Sequence, residues 1–431
     1  MIQRFIPELR FQEFSGGWEL TTFGEELIDS RLGGNYENSE KVTPWSLIKM
    51  GNLARGKIKL DKIQYITEAE RINPKDKIQT NDLFFNTRNT LDLVGKVAIW
   101  RDELPEAYYN SNLMYIQFPD NNFMNYRLNS WSGIKSLRRL ATGTTSVAAI
   151  YTRDLLKMPI VITSLPEQQK IAAFLSAVDT KIQQLQRKKE LLEQYKKRVM
   201  QKIFSQEIRF KPALSNIEGD ENGNNYPDWE DKQLGQIITF FSTNSFSRKD
   251  LNYERGIAKN IHYGDIHTTF KARLDIDAEH VPYINDTINL NKIAEESYCR
   301  IGDIVIADAS EDYDDIGKTV EIWNAGEYPL VSGLHTFLGR DLSEQTVIGF
   351  KGYLFQSQTI RKQIRVLAQG ISVLGISKKN VMKIKFELPC IEEQLSIVTL
   401  LSVLDDRIES LGRSLKHTRH FKKGLLQQMF I

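Results

Sequence analysis

The chain has 431 residues, enough for two or three domains, with 41% hydrophobic and 26% charged residues as in ordinary globular proteins. The net charge is only +2, no apolar run could span a membrane, and two cysteines exclude a disulfide scaffold. The first residues lack the pattern of a signal peptide, so we expect a cytoplasmic protein.

The first globular segment, residues 1–163, mixes short β-rich runs with helical stretches. Lys96–Trp100 and Leu113–Phe118 are predicted strands because β-branched and aromatic residues dominate them. A basic stretch, residues 127–157, contains a single acid, Asp154. Such local excess of one charge permits a basic face on a nearly neutral protein.

A long helix is predicted within residues 164–211, because apolar residues recur there at spacings of three and four with no proline inside the run. This heptad pattern is typical of a coiled coil. The predicted seam residues are Leu175, Val178, Ile182, Leu185 and Leu192.

Turn-forming residues from Pro212 to Pro227 mark a boundary, and a second globular segment is predicted within residues 212–387. It contains a predicted strand, Gly302–Ala307, and a predicted helix with a basic face, Gly349–Ala368. Gly317-Lys318-Thr319 looks like the end of a phosphate loop but lacks the upstream glycine, so a turn between strands is favoured.

A second long helix is predicted within residues 388–431, and it repeats the first at a constant offset of 226, as from Glu167 to Glu393. The globular segments also correspond, with Gly95-Lys96 and Trp18 repeated as Gly317-Lys318 and Trp229. The seam residues of this helix are Leu401, Leu404, Ile408, Leu411 and Leu415.

We therefore predict an α+β protein with two similar globular domains, each followed by a long helix. The two helices are expected to pair as an antiparallel coiled coil with pseudo-twofold symmetry. The alternative is that each helix folds back onto its own domain. Three lysines within the seam, Lys189, Lys196 and Lys422, have two interpretations: solvated stems or residues that set the register.

No motif for catalysis was found. The sequence contains no glycine-rich cofactor loop and no Asn-Pro-Pro-Tyr motif of the kind used in base methylation. His262 and His267 do not form a zinc-binding pattern. We therefore expect no catalytic residue, no metal site and no bound cofactor in this chain.

Two variable domains, each followed by a helix that opens with Pro166-Glu167-Gln168-Gln169-Lys170-Ile171 or a related sequence, resemble the specificity subunit of type I restriction–modification systems. The resemblance implies that residues 1–163 and 212–387 are target recognition domains, each reading one half of a split, asymmetric DNA site. It also implies that helices 164–211 and 388–431 are a spacer that docks two methyltransferase subunits. Those partners would carry S-adenosylmethionine, and restriction subunits would add ATP- and Mg-dependent chemistry.

Base reading favours Arg, Lys, Asn and Gln, whereas phosphate contacts favour Lys and Arg away from acids. In the first domain we predict base contacts from the loop after a strand and phosphate contacts from the basic stretch: Asn86, Thr87, Arg88, Asn89, Lys135, Arg138 and Arg139. In the second domain the predicted contacts are Tyr263, His267, Arg361, Lys362 and Arg365.

Two alternatives remain open at this stage. One is a stand-alone DNA adenine methyltransferase or restriction enzyme whose motif is not recognised, and the other is a coiled-coil scaffold that binds only proteins. Methyl transfer by the purified chain alone would favour the first, and failure to shift duplex DNA with a methyltransferase partner present would favour the second.

If the helices act as a spacer, inserting one heptad into both of them should lengthen the nonspecific stretch between the two halves of the DNA site. Methylation mapping on duplexes with graded spacing measures this length. An unchanged spacing would contradict the prediction.

Overall fold

The computed structural model describes residues 5–68, 71–212 and 225–431, so most of the predicted boundary segment, residues 213–224, lies outside the described part. The chain forms two compact units. The first comprises the residues up to Arg187 together with Gly412–Ile431, and the second comprises Lys188–Leu411. Each unit therefore combines one globular segment with parts of both long helices.

The described residues of the first unit form fourteen short strands and, before the long helix, four α-helices. The strands are β1 Glu19–Thr22, β2 Asp29–Leu32, β3 Asn38–Ser39, β4 Ser46–Ile48, β5 Gly56–Lys57, β6 Gln64–Ile66, β7 Leu83–Asn86, β8 Arg88–Asn89, β9 Val97–Ile99, β10 Ala107–Tyr109, β11 Leu113–Gln117, β12 Thr142–Gly143, β13 Ala148–Ala149 and β14 Pro159–Ile162. The helices are α1 Phe23–Glu26, α2 Asn121–Asn129, α3 Trp131–Leu140 and α4 Thr152–Leu156, followed by the long helix α5 Leu165–Phe204.

The second unit repeats this order. Its strands are β15 Glu230–Gln233, β16 Ile238–Phe241, β17 Leu251–Asn252, β18 Lys259–Ile261, β19 Arg273–Asp275, β20 Tyr283–Ile284, β21 Ile304–Ala307, β22 Ala309–Ser310, β23 Thr319–Asn324, β24 Leu330–Ser332, β25 Thr336–Asp341, β26 Leu374–Gly375 and β27 Lys385–Leu388. Its helices are α6 Leu234–Ile237, α7 Tyr263–Thr268, α8 Phe350–Leu354, α9 Gln358–Leu367, α10 Lys378–Val381 and the long α11 Ile391–Gln428.

The sheets of the two units have matching topologies. A five-stranded sheet has the order β2-β11-β7-β9-β5 in the first unit and β16-β25-β21-β23-β19 in the second. A four-stranded sheet is ordered β10-β4-β6-β3 and, equivalently, β24-β18-β20-β17. Even the parallel pairs recur, since β5–β9 and β4–β10 correspond to β19–β23 and β18–β24. The duplication predicted from the sequence is therefore a duplication of fold.

The predicted strands are confirmed as β9, β11 and β21, and their side chains are buried almost throughout. The predicted helix Gly349–Ala368 is wrong as a single element. It consists of α8 and α9, separated where Ser357 takes an extended backbone and caps α9 by accepting a hydrogen bond from the backbone NH of Ile360. Lys351, which lies within this predicted helix and belongs to its predicted basic face, is buried and pairs with Glu321 at 3.0 Å. Gly317-Lys318-Thr319 leads into β23 as a turn, as expected.

Each unit has a hydrophobic core built from its sheet, the start of one long helix and the end of the other. In the first unit Leu175 of α5 and Leu425, Met429 and Phe430 of the C-terminal segment join the same cluster. In the second unit Met200 and Ile203 of α5 join Ile397 and Leu401 of α11. None of the ten predicted seam residues is exposed. Among the described residues, no helix has the length and apolar character needed to cross a bilayer.

The helices run antiparallel within each unit. In the first unit Lys422 of α11 contacts both carboxylate oxygens of Asp179 of α5, at 2.6 and 2.8 Å. In the second unit Lys196 pairs with Asp405 at 2.6 Å, which is the equivalent contact. Lys196 and Lys422 are therefore half-buried residues that pair across the two helices, whereas Lys189 pairs with Glu193 of its own helix at 2.7 Å.

A tyrosine connects each of these ion pairs to its globular segment. The hydroxyl of Tyr126 on α2 donates to Asp179 at 2.8 Å, and that of Tyr353 on α8 donates to Asp405 at 2.8 Å. Each lysine also lies over the ring of its tyrosine, at 5.3 and 5.1 Å from the centroid. In both units the lysine, the aspartate and the tyrosine thus connect the two long helices to each other and to the globular segment.

A buried glutamate anchors the start of each long helix. Glu167 is only 1% exposed and accepts hydrogen bonds from Arg10 Nε and Nη2, both at 2.7 Å, and from Trp18 Nε1 at 3.4 Å. Glu393 has the equivalent partners, Arg209 at 2.7 Å and Trp229 at 2.8 Å. The repeated glutamate at the helix starts is explained by these contacts.

The substitution Glu167→Gln should destabilise the first unit by about 2–3 kcal/mol at pH 7, because Arg10 loses its buried partner. Burial acts to raise the pKa of Glu167, but the hydrogen bonds from Arg10 and Thr163 outweigh it and the pKa is lowered. The stabilisation is therefore present above the ordinary glutamate pKa of about 4.3 and is lost as the pH falls through the lowered pKa of the folded state.

Urea unfolding of both proteins between pH 7 and pH 3 measures this difference. The exposed Glu19→Gln variant is the control and should match the unsubstituted chain. A difference between Glu167→Gln and the unsubstituted chain that stays constant across this pH range would contradict the prediction.

Candidate nucleic-acid interface

The predicted base-reading loop of the first unit begins inside the protein. Asn86 ends the buried strand β7 and is 0% exposed, and its Oδ1 accepts a hydrogen bond from the backbone NH of Arg88 at 3.2 Å. Thr87 donates its hydroxyl to the backbone oxygen of Asn112 at 3.2 Å. These two side chains shape the loop, whereas Arg88 is exposed and Asn89 is half-buried. The predicted base contacts thus rest mainly on Arg88 and Asn89.

The predicted phosphate contacts of the first unit lie together on α3. Ser130 starts this helix by accepting a hydrogen bond from the backbone NH of Gly133, and the cations follow toward its C-terminus, where the helix dipole favours positive charge. All three cations, Lys135, Arg138 and Arg139, are exposed.

A groove of about 340 Å³ joins these cations to an aromatic residue that the sequence reasoning did not single out. Trp131 and Ile134 line it together with the three cations, and Trp131 is 64% exposed. The Lys135 ammonium lies 4.5 Å from the Trp131 ring centroid. An exposed indole beside three cations can stack on a sugar or base while the cations hold phosphates. The signal in the sequence was the isolated tryptophan directly before the basic residues.

In the second unit Tyr263 and His267 lie on the short helix α7 within an aromatic cluster. The Tyr263 ring centroid is 4.7 Å from that of His262, 5.9 Å from His267 and 5.4 Å from His335. His267 hydrogen-bonds through Nε2 to the backbone oxygen of Ala309 at 3.0 Å, which assigns the proton to Nε2. Tyr263 and His267 are both half-buried, but neither nitrogen of the His267 ring is open to a ligand, because Nε2 is bonded to Ala309 and Nδ1 is enclosed by protein atoms.

An ion pair lies beside this aromatic cluster. Arg248 donates to Asp265 at 2.6 and 3.0 Å, and His262 Nδ1 accepts from the backbone NH of Gly264 at 3.1 Å. Burial, together with the charge of Arg248, lowers the pKa of His262, so its ring is neutral at pH 7. Sequence reasoning missed Arg248 and His335 because they come from other segments of the chain, and it considered His262 only as a metal ligand.

Two of the three predicted phosphate contacts of the second unit already have partners within the protein. Arg361 donates to the backbone oxygen of Asp314 at 3.0 Å, and Arg365 pairs with the Asp314 carboxylate. Lys362 is exposed and has no hydrogen bond or ion pair with another described residue. The acidic loop at Asp314 therefore holds α9 through these contacts, and any DNA contact by the two arginines must compete with Asp314.

Comparisons with known proteins agree with this duplicated architecture. The family model of the type I restriction modification DNA specificity domain matches residues 33–194 and again residues 226–416. The chain is 22% identical to the putative type I restriction enzyme MjaX specificity subunit of Methanocaldococcus jannaschii, over 99% of this chain and 97% of that protein. It is 24% identical to the type I restriction enzyme MjaVIII specificity subunit of the same organism, over 68% and 66% of the two chains.

Two solved structures share the fold. The S subunit of a type I restriction–modification system from M. genitalium superposes with a TM-score of 0.56 at 16% identity, and 99% of each chain is covered. A chain from a study of complex assembly and conformational transition in the type I system gives a TM-score of 0.53 at 15% identity, over 95% and 96% of the two chains. Because the family model matches both halves, the chain belongs to the type I restriction–modification DNA specificity family, and its role is that of a DNA-recognising specificity subunit.

Proposed function

We propose that the chain reads a two-part, asymmetric DNA site, with one half read by each unit, and that partner subunits perform the chemistry. The observation that carries this proposal is that the two units share one scaffold but differ at the surfaces where contacts are predicted. The first unit offers Arg88, Asn89 and the groove at Trp131, whereas the second offers Tyr263 and His267. Two units with the same scaffold and different exposed side chains can each recognise a different half of the DNA site.

The partners in this proposal are methyltransferase subunits, with restriction subunits joining them in a complete system. S-adenosylmethionine, ATP and Mg²⁺ belong to these partners, and this chain binds none of them. Action on chromosomal DNA together with such partners places the protein in the cytoplasm. A system without restriction subunits remains compatible with the same role for this chain.

We also propose that two methyltransferase subunits bind, one at each unit. An exposed aromatic side chain recurs on the long helices at the offset of 226, as Tyr195 and Phe421, each 53% exposed. Tyr195 belongs to the second unit and Phe421 to the first. Exposed aromatic residues are enriched among the anchors of protein interfaces, and their repetition supports two equivalent partner sites.

The experiment that tests the reading role is methylation mapping with the host methyltransferase, with and without this gene. Arg88→Ala should relax one half of the methylated site, and the double substitution Tyr263→Ala/His267→Ala should relax the other half, because each removes side chains from one unit only. The exposed Lys41→Ala variant is the control and should keep the whole site.

Three outcomes would contradict the reading role. Methyl transfer by the purified chain without a partner would favour a stand-alone methyltransferase. No binding to duplex DNA with the partner present would favour a protein-only scaffold. Loss of both halves of the site from a substitution in one unit would contradict the assignment of one half to each unit.

The partner sites are tested by stoichiometry. Tyr195→Ala and Phe421→Ala should each reduce the complex from two methyltransferase subunits to one at a fixed concentration, and the double variant should leave none. Native mass spectrometry counts the subunits. Val403→Ala, at an exposed position of α11 whose equivalent on α5 is Ala177, is the matched control and should keep two. Two bound subunits in the double variant would contradict the proposal.

A further inference from the structure

Three cations of the first unit, Arg55, Lys59 and Lys96, flank the neighbouring strands β5 and β9 of its five-stranded sheet. Arg55 directly precedes β5 and Lys96 directly precedes β9, and these strands are neighbours that run parallel with Gly56 beside Ala98. Both side chains therefore enter the sheet at the same end. Lys59 follows β5 closely, and its backbone NH donates to the oxygen of Asn52 at 2.7 Å.

The cations are held there without a neutralising acid in the described part of the chain. Arg55 Nη1 is enclosed by protein atoms yet has no hydrogen-bond partner among them. Burial and the charge of Arg138 lower the pKa of Arg55, and burial with the charges of Arg55 and Lys59 lowers that of Lys96. A partly buried guanidinium surrounded by other cations is unfavourable unless an anion binds there.

The backbone ties this cluster directly to the predicted base-reading loop. The NH of Asn86 donates to the oxygen of Lys96 at 2.9 Å, and the NH of Gly95 donates to the oxygen of Asn86 at 3.0 Å. Gly95 has a φ of +70°, and an added Cβ would lie 3.0 Å from Ile150, so glycine is required for this turn. These bonds join the backbone at Lys96 to the end of β7, two residues before Arg88.

The second unit retains the turn but neutralises the equivalent lysine. Gly317 has a φ of +64°, and Lys318 occupies the position of Lys96. Lys318 pairs with the Asp315 carboxylate at 3.2 Å and also donates to the backbone oxygen of His267. In the second unit the protein thus supplies an acid to pair with this lysine, whereas in the first unit no described acid pairs with Lys96.

We propose that Arg55 and Lys96, assisted by Lys59, bind a single backbone phosphate of the DNA next to the half-site read by Arg88. The inference rests on the proposed function, because DNA is the source of the anion. Arg and Lys are the side chains that hold phosphates, and such contacts set the register of a protein on the duplex. The first unit is therefore positioned by this phosphate, whereas the second unit is positioned by other contacts.

The salt dependence of DNA binding tests the site in the complex with the methyltransferase. Arg55→Gln and Lys96→Gln should each reduce the slope of log Kd against log salt by about 0.9, the value for one phosphate contact. In the double variant the slope should also fall by about 0.9, because both side chains hold the same phosphate. Arg55→Lys should keep the slope, and so should the exposed Lys41→Gln. The methylated sequence should stay unchanged in all of them.

Phosphate ethylation identifies the anion as part of the duplex. One ethylated position beside the first half-site should weaken binding of the unsubstituted complex but not of Arg55→Gln. Thermal melting distinguishes a variant that has lost the phosphate site from one that has lost the fold. If Arg55→Gln does not fold, the test rests on Lys96→Gln, which removes a half-exposed side chain.

A correctly folded double variant with an unchanged slope would overturn the proposal, as would a loss near 1.8, which indicates two separate phosphates. A changed methylated sequence would also overturn it, because it indicates base reading. If the unsubstituted complex bound no specific DNA, the proposed function itself would fail. If that complex reads its site and the substituted complexes keep the slope of the unsubstituted one, the phosphate site fails but the proposed function stands.

Discussion

The ion pair between a lysine near the end of one long helix and an aspartate near the start of the other is the contact on which this structure depends. It occurs once in each unit, as Lys422–Asp179 and Lys196–Asp405. A half-buried ion pair contributes little net stability, since its Coulomb energy is offset by desolvation. Its effect is to select one register, because a shift of the helices would leave two charges unpaired in an apolar seam. The tyrosine at each pair transfers this register to the sheet domain.

The duplicated scaffold separates the parts of the molecule that both units share from those that differ. The shared parts are the sheet topology, the buried glutamates at the helix starts and the glycine–lysine turn. The parts that differ are the exposed ones, with a tryptophan groove in the first unit and a tyrosine–histidine cluster in the second. Shared features can serve the needs common to both half-sites, whereas differing surfaces can distinguish bases.

Local patterns in the sequence predicted the fold well and the site only partly. The heptad seam and the constant offset are carried by residues close in sequence, so the long helices and the duplication followed directly. The contacts of Arg361 and Arg365 with Asp314 join segments about fifty residues apart, and no local period encodes them. Burial of Asn86 depends on the strands that cover β7, which the loop sequence does not reveal. Ser357 interrupts a predicted helix because its cap competes with continuation of the apolar pattern.

The first unit needs the end of the chain for its core, since Phe430 packs against Trp18 and Phe123 with ring centroids 6.2 and 5.6 Å apart. During synthesis on the ribosome, residues 412–431 emerge after all the other residues of both units. The second unit has all of its residues earlier and can fold while translation continues. The unit that is translated first is therefore completed last. Until residues 412–431 have been synthesised, the apolar surface around Trp18 is not covered by the last turns of α11.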